Sequence, residues 1–590
     1  MPVSPMSVSN ATAELDLLQP YPGLRPFQPE EALKFHGRET HTAELLRRLA
    51  ESRFVAVVGN SGSGKSSLVR AGLLPALYRG RLIGATSQWR ICIMRPEEAP
   101  VRALARALAE QNVPSTNEGA VFEEVNRSTL GLVRAVRAAK FAPGESLLLV
   151  VDQFEELFRF ARERKEEDGG ADARLFVDSL REAADLSSAP VYIVLTMRSE
   201  FLGDCSQFPG LPELLNRGQY LIPAMTRDQI RAAIEKPVRL AGAKMSARLV
   251  ELLLNQLGSD TGQLPVLQHA LNQTFQQWKK NGTSGEIGVD DYALAGEMKG
   301  SLNAHAESLL DPKLDPWTEW IFRCLTTVEP GGRKIRRPTR LDRMFEIVGA
   351  FDERARGRVL DVIRIYGHRD HAMLVWSRPA LSDESVVDIS HESLIEHWER
   401  LGKWVDAEAD AASLYQAASL DVKAKRRGAA ARWRGQRLLD ARQFIEKGPW
   451  NQAWAARLRI PDALFADVGE FVEQEAVAEL TAAQRAKEDA EARAAAEAKA
   501  KQAAQSQAKA ERRMKWAIAA AAALGVGLAL FGLFYQVGQK KQAKQQKDAL
   551  AALRQLAASD DIVTQSTRQI DELKKQLAEV RDAAERQRAE

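Results

Sequence analysis

Between Gly59 and Ser67 the chain reads GNSGSGKSS, glycines, one lysine and hydroxyls at the spacing G-x-x-x-x-G-K-[ST]. Gly59, Gly62 and Gly64 let the backbone bend until successive N–H groups and a helix N-terminus point at phosphate oxygens. The nucleotide-contacting set is then Gly59, Asn60, Ser61, Gly62, Ser63, Gly64, Lys65, Ser66 and Ser67. Lys65 reaches the β- and γ-phosphates, and the Ser66 hydroxyl is placed to ligate Mg²⁺. Such a loop needs a second carboxylate at a neighbouring strand end to hold Mg²⁺ through water. Asp152, directly after Leu147 to Val151, supplies it. Glu155 and Glu156 follow, and one of them can polarise an attacking water. Glu155 is the preferred choice and Glu156 stays open, since both also suit the first turn of the next helix. Val191 to Leu195 is a further apolar run, followed by Thr196, Met197 and Arg198. In a parallel sheet that strand end faces the ligand, so Arg198 can sense a γ-phosphate; pairing with Glu200 at the surface is the alternative. HESLIEH, from His391 to His397, looks like a zinc helix but separates its histidines by six positions, which puts them on different helix faces.

These residues need a scaffold of buried strands. The loop follows the apolar run Phe54 to Val58 and precedes LVRAGLLPALY, a helix start, and RICIMRP near Ile91 adds another strand among Ala-rich helical segments. A parallel sheet covered by helices is the expected core. At 590 residues the chain exceeds one hydrophobic core and is multidomain. Its 82 basic and 79 acidic residues give a formal net charge of +3, which implies no attraction to nucleic acid. Cys92, Cys205 and Cys324 form no close pair, so neither a zinc knuckle nor a disulfide framework is suggested. The first residues, MPVSPMSVSNATAELDLL, lack the basic start and apolar core of a signal peptide.

Trp516 to Val537 carries no charge over its 22 residues. At a rise of ~1.5 Å per residue it matches a hydrocarbon core of ~30 Å, so one transmembrane helix is expected. Basic residues flank both ends and hardly orient it; the ATP requirement of the loop places the N-terminal domain in the cytoplasm and the span in the cell (inner) membrane. Ala521, Gly525 and Ala529 form a small-residue stripe that lets two helices pack closely, although small residues are common in spans. Glu473 to Arg513 is rich in Ala, Glu, Lys, Gln and Arg without Gly or Pro, and reads as a stalk helix running into the span. Past the span, Val563, Ile570, Leu577 and Ala584 repeat every seven residues, with Ser566, Leu573 and Val580 three later, which gives a short, imperfect coiled-coil seam or a solvated amphipathic helix.

With these motifs placed, the chain resembles the STAND branch of P-loop ATPases, which includes the NACHT and apoptosis-activating ATPases, and more narrowly the bacterial novel STAND family. The resemblance rests on PYPGLRPF (Pro20 to Phe27), FHGRE (Phe35 to Glu39), the phosphate loop and its helix, VVDQFEELF, LTMRSEFLGDC (Leu195 to Cys205), GQLPVLQHAL (Gly262 to Leu271) and DISHESLIEHW, over about Pro20 to Trp404. It implies an ADP-locked, ATP-assembled switch with slow Mg²⁺-dependent hydrolysis. By position, Gly37 and Arg38 would border the base pocket, Pro265 would touch the nucleotide from a helical lid, and His391 would contact the ADP phosphate. Ser390 and Glu392 depart from the Met and Asp of the apoptotic motif, which leaves His391 as a packing residue open.

The expected architecture is a disordered N-terminus (1–19), an α/β P-loop NTPase domain (20–228), a helical lid (229–312), a winged-helix domain (313–405), a helical region (406–472), the stalk (473–515), the transmembrane helix (516–537) and the coiled coil (538–590). The leading reading is a membrane-anchored switch in stress, defence or cell-death signalling that binds ATP or ADP, self-associates and answers an unknown protein trigger or effector. An ADP-clamped scaffold without turnover is one alternative. A DNA-binding winged-helix regulator using the basic run Arg333 to Arg343 is another, weakened by the lack of a dense basic recognition helix.

Overall fold

The computed structural model describes residues 19–82, 88–163, 169–186, 190–258, 261–329, 331–378, 380–428, 432–446, 448, 450–458, 460 and 465–527. Five strands, β1 (Phe54–Gly59), β2 (Trp89–Met94), β3 (Ser146–Val151), β4 (Val191–Arg198) and β5 (Gln219–Leu221), form one parallel sheet in the order β2-β3-β4-β1-β5. β1, β3 and β4 are Val/Leu/Ile-rich because helices cover both faces, and every residue of the three is buried. On one face Ala56, Val58, Leu149 and Leu195 pack with the helices Pro100–Glu110 and Gly169–Asp185. On the other Val55, Val57, Val150 and Val194 pack with Leu45 and Leu49 of the helix Glu39–Ser52 and with Leu68 and Leu73 of the helix after the phosphate loop. β4 runs three residues past the expected Leu195, and its register sets Arg198 beside Gly59. The strand ends that carry the loop, Asp152 and Arg198 therefore lie side by side.

Helices Arg227–Leu240, Ala247–Leu257 and Leu264–Lys280 pack around Ile234, Leu253, Leu254, Val266, Leu267 and Leu271. The first begins two residues before the expected lid boundary, because Thr226 caps it by accepting from the Gln229 N–H. Tyr21 of the PYPGLRPF segment is buried in this cluster and its hydroxyl donates to the Ile234 carbonyl, so the segment is strapped onto these helices. After the helix Asp315–Cys324 come a two-stranded ladder, β6 (Thr326–Val328) with β7 (Lys334–Arg336), and a three-stranded antiparallel sheet, β8 (Thr339–Arg340), β9 (Leu374–Trp376) and β10 (Val386–Ile389), with β10 central. Helices Leu341–Val348 and Glu353–Gly367 lie between β8 and β9 in sequence. β10 leads straight into Ser390, His391 and Glu392.

The described residues up to Asp406 form one compact unit and those from Ala407 onward a second. The second has an aromatic cluster in which Tyr415 meets Trp450 at 5.0 Å and Trp454 at 5.6 Å between ring centres. Its last described helix is Phe465–Gly527, 63 residues without a break. The helix begins eight residues before the expected stalk start at 473, and Val468, Val472 and Ala476 are buried along it at helical spacing. No helix among the described residues is long and apolar enough to cross a membrane. The expected span enters this helix only as far as Gly527, and its remainder, the coiled coil and residues 1–18 lie outside the described residues.

Candidate functional site

Gly62 (φ +76°) and Gly64 (φ +87°) hold the left-handed conformations that let the loop turn back on itself. A Cβ on Gly62 would also lie 2.2 Å from the Gly262 carbonyl oxygen, so the GQLP turn packs directly on the loop. Lys65 Nζ donates to the carbonyls of Gly59 (2.8 Å) and Asn60 (2.7 Å). Burial lowers its ammonium to about 8, which leaves it charged at neutral pH. Ser66 Oγ donates to Asp152 Oδ1 (2.8 Å), as does Thr196 Oγ1 (2.6 Å), while Arg70 lies 3.2 Å from Oδ2. Burial opposes ionisation of Asp152, but Arg70, Arg95 and these hydroxyls hold it down at about 2. An ionised carboxylate hydrogen-bonded to the loop serine is the donor set a hard cation takes, so these residues fit Mg²⁺.

One cavity gathers Ser61, Gly62, Gly64, Lys65, Ser66, Ser67, Asp152, Glu155, Arg198, Arg38, Pro265 and His391. Arg38 and His391, 353 positions apart in sequence, thus meet at one place. Glu155 Oε1 lies 3.3 Å from Arg198 Nε, and Oε2 is buried without a hydrogen-bond partner among the described residues, an acceptor held beside the cavity. Arg198 is itself buried; it pairs with Glu200 at 3.5 Å and donates to Glu392 in the segment after β10. Burial works against both charges, yet the pairing raises the guanidinium and, with Arg336, holds Glu392 at about 2. Burial and then Arg336 push His391 down to about 3, so the ring is neutral. Its Nδ1 accepts the Ser393 N–H (3.1 Å), which puts the ring proton on Nε2 as a donor.

Five expected site residues lie outside the lining of this cavity. Glu156 leaves the cavity for an adjoining cleft beside Arg95 and Asp388, where burial raises it to about 7; the helix Glu156–Glu163 starts at this residue, so a turn of ~100° separates it from Glu155. Gly37 does not line the cavity, although His36 and Arg38 do: at φ +84° its absent Cβ makes room for the Gln229 carbonyl 2.2 Å away. Gly59 packs against Ile222, and Asn60 Oδ1 accepts from Ser199 Oγ. Ser63 is buried, and its carbonyl accepts from Arg38, which also donates to Pro223 and so ties the loop to the segment after β5. Thr196, Arg70, Arg336 and Glu392 are site residues that motif reading passed over. Arg70 was readable as the residue four after Ser66 on one helix face; nothing local marks Arg336. The basic run is taken up by ion pairs: Arg333 with Glu200, Lys334 with Asp406, Arg336 with Asp388, Arg340 with Asp342 and Arg343 with Glu346.

Comparison with known proteins places this site in context. The family model described as Novel STAND NTPase 1 matches residues 20–432. No curated protein matches the chain. Among solved structures, the ORC2 protein of Aeropyrum pernix in its ADPNP–ADP complexes is 13% identical, with 63% of this chain and 94% of that chain covered at a TM-score of 0.35. A Walker-type ATPase of Pyrococcus abyssi is 14% identical, with 64% and 98% covered at a TM-score of 0.30. The E. coli HORMA:CdnC:Trip13 complex matches at 13% identity, 46% and 91% coverage and a TM-score of 0.31.

Proposed function

We propose that this chain, which belongs to the novel STAND NTPase family, is a membrane-anchored signalling switch, held closed by ADP and driven to self-associate by ATP. The observation that carries the reading is the bond between Arg198, at the strand end nearest a γ-phosphate, and Glu392, from the segment after β10. A ligand shifts a two-state protein only by its difference in affinity for the two states. ADP leaves Arg198 to Glu392. The γ-phosphate of ATP competes for the same guanidinium, and the segment after β10 then loses its hold on the NTPase domain.

Lys65 exchanges the Gly59 and Asn60 carbonyls for the β- and γ-phosphates, and its charge is reinforced there. Ser66 and Asp152 would hold Mg²⁺, which would supply charge neutralisation at the phosphates. Glu155 orients the attacking water with its partnerless Oε2, while Arg198 holds Oε1; slow turnover follows from an arginine shared with Glu392. His391 Nε2 donates to the ADP phosphate in the closed state, and Pro265 closes the cavity from the start of the lid helix Leu264–Lys280. The three-helix, three-strand module around β10 is a winged-helix domain working as a latch, and the ion pairs along Arg333 to Arg343 favour this over DNA binding. The uncharged run Trp516 to Val537, which begins within the 63-residue helix, supports a span that tethers the switch in the cell membrane with the ATPase in the cytoplasm. Assembly in the membrane, joined by the coiled coil, passes a stress, defence or cell-death signal to a protein partner.

The test is mass and turnover of the detergent-purified full chain with ADP or with ATP and Mg²⁺, beside Lys65→Ala and Glu155→Gln. Growth with ATP that Lys65→Ala abolishes is the expected result. Constant mass and no turnover in the presence of bound ADP would replace the switch with a nucleotide-clamped scaffold.

A further inference from the structure

One part of the cavity lining, the slot, has apolar walls. Leu24 of the strap, Met225, Ile230 and Leu267 line it, and Gln268 is the amide among them. Gln268 stands three residues after Pro265 on the helix Leu264–Lys280, so both face the same side. Its neighbours Leu267 and His269 are buried in the helix's packed face. The Oε1 of Gln268 is shut off from solvent and has no hydrogen-bond partner among the described residues. A buried acceptor left unpaired costs stability unless a ligand answers it, and the terminal amide torsion is soft enough to present it to the slot.

We propose that Gln268 is the base-reading residue of this site and that it accepts a hydrogen bond from the exocyclic amine of adenine, an assignment that rests on the nucleotide reading above. Apolar walls suit the flat faces of a purine. The inner atom of the amide is the acceptor, so the base edge opposite must donate. The 6-amine of adenine does so, whereas guanine presents its O6 acceptor there. The amide nitrogen then meets a ring nitrogen of the same edge, the bidentate match of a Gln side chain to adenine. Leu24 belongs to the strap that Tyr21 fixes to the Ile234 carbonyl, and Gln268 to a helix of that same packed cluster. An adenine amine held by Gln268 therefore clasps the strap and the lid together, and links base identity to closure.

The experiment measures binding of ADP and of purine riboside 5′-diphosphate, which lacks only the amine, to the full-length protein, to Gln268→Met and to Lys65→Ala. Methionine keeps the length and flexibility of the side chain and removes both polar atoms. The native protein should prefer ADP about tenfold, the usual scale for one buried neutral hydrogen bond with its partner otherwise left unpaired. Gln268→Met should bind both ligands alike, at the level of the native protein with the amine-free ligand. Equal affinity of the native protein for the two diphosphates overturns the assignment even if the variant does not fold. A tenfold preference that survives in Gln268→Met overturns it too, and moves the reading to the strap backbone. Binding of neither ligand to the native protein, or binding that Lys65→Ala leaves untouched, instead brings down the nucleotide site and this assignment with it.

Discussion

Replacing Glu392 with glutamine should speed ADP release, because it removes one end of the bond that holds the segment after β10 to Arg198. The Glu392 side chain is 8% exposed and lies near two further guanidinium groups, Arg336 at 3.9 Å and Arg333 at 3.8 Å. Glutamine keeps the shape and one acceptor but not the charge. Stripping a partner from a buried pair costs ~3–5 kcal/mol, whereas a single hydrogen bond to a charged group is worth ~1.5–3 kcal/mol. Arg198 retains Glu155 and Glu200, so the lower range applies, and about 2 kcal/mol is the expected loss from the closed state. That is about a 30-fold change in the closed-to-open ratio. Stopped-flow release of a fluorescent ADP analogue reads it directly. Arg198→Gln and the double variant complete a cycle in which the two single effects should not add. Native release kinetics in Glu392→Gln, or strict additivity with Arg198→Gln, would refute the latch.

Three further outcomes follow from the same geometry. Glu155→Gln should cut ATP turnover by about 100-fold while ATP still binds, and Glu156→Gln should change turnover little because its carboxyl lies outside the cavity; the reverse pattern in a single-turnover assay would restore Glu156. Asp152→Asn should abolish the Mg²⁺ dependence of ATP binding, measured by titration with and without chelator, since it removes the charge that Ser66 Oγ and Arg70 share. Acid should loosen the junction between the lid helices and the loop before β9, where His269, His305 and His371 are hydrogen-bonded in a row at 3.0 and 2.9 Å. Burial lowers all three, His305 to about 4, with His368 and Lys280 adding to the effect and Asp370 opposing it. Between the unfolded value of ~6.5 and the lowered value of His305 the unfolded chain binds more protons, so the buried His305 withdraws up to about 1.4 kcal/mol per pH unit as pH falls. Thermal melting at pH 7 and pH 5 should show the loss, and His305→Gln should flatten it; an unchanged slope would exclude the row as its source.

The phosphate end of this site was legible because its chemistry is local. A loop that wraps a phosphate needs glycines at fixed offsets, and Gly62 and Gly64 occupy those backbone conformations. Asp152 was legible for the same reason, as the first residue past a buried strand. Choosing between Glu155 and Glu156 depends on where a helix starts, and one residue there turns a side chain into another cleft. Gly37 was read as a pocket border from its motif, whereas its φ and the Gln229 carbonyl make it a backbone necessity. The bond of Arg198 to Glu392 spans 194 residues and depends on how two separately packed layers meet, which no spacing rule encodes. The start of the long helix was within reach: composition changes at 473, but the apolar positions Val468 and Val472 already carry helical spacing.

Under the proposed switch, chain order would also explain how one small ligand governs so much of this unit. The slot lining comes from the strap and lid helices, the phosphate-binding lining from the loop, strand ends and the segment after β10. Neither group of elements can leave without uncovering its own part of the lining. The Gly262 carbonyl rests where a Cβ of Gly62 would be, so lid withdrawal also frees one flank of the phosphate loop. Exchange of ADP is therefore expected only after one of the two linings has parted, and the buried charge of Arg198 makes the phosphate-binding lining the one that answers to a third phosphate.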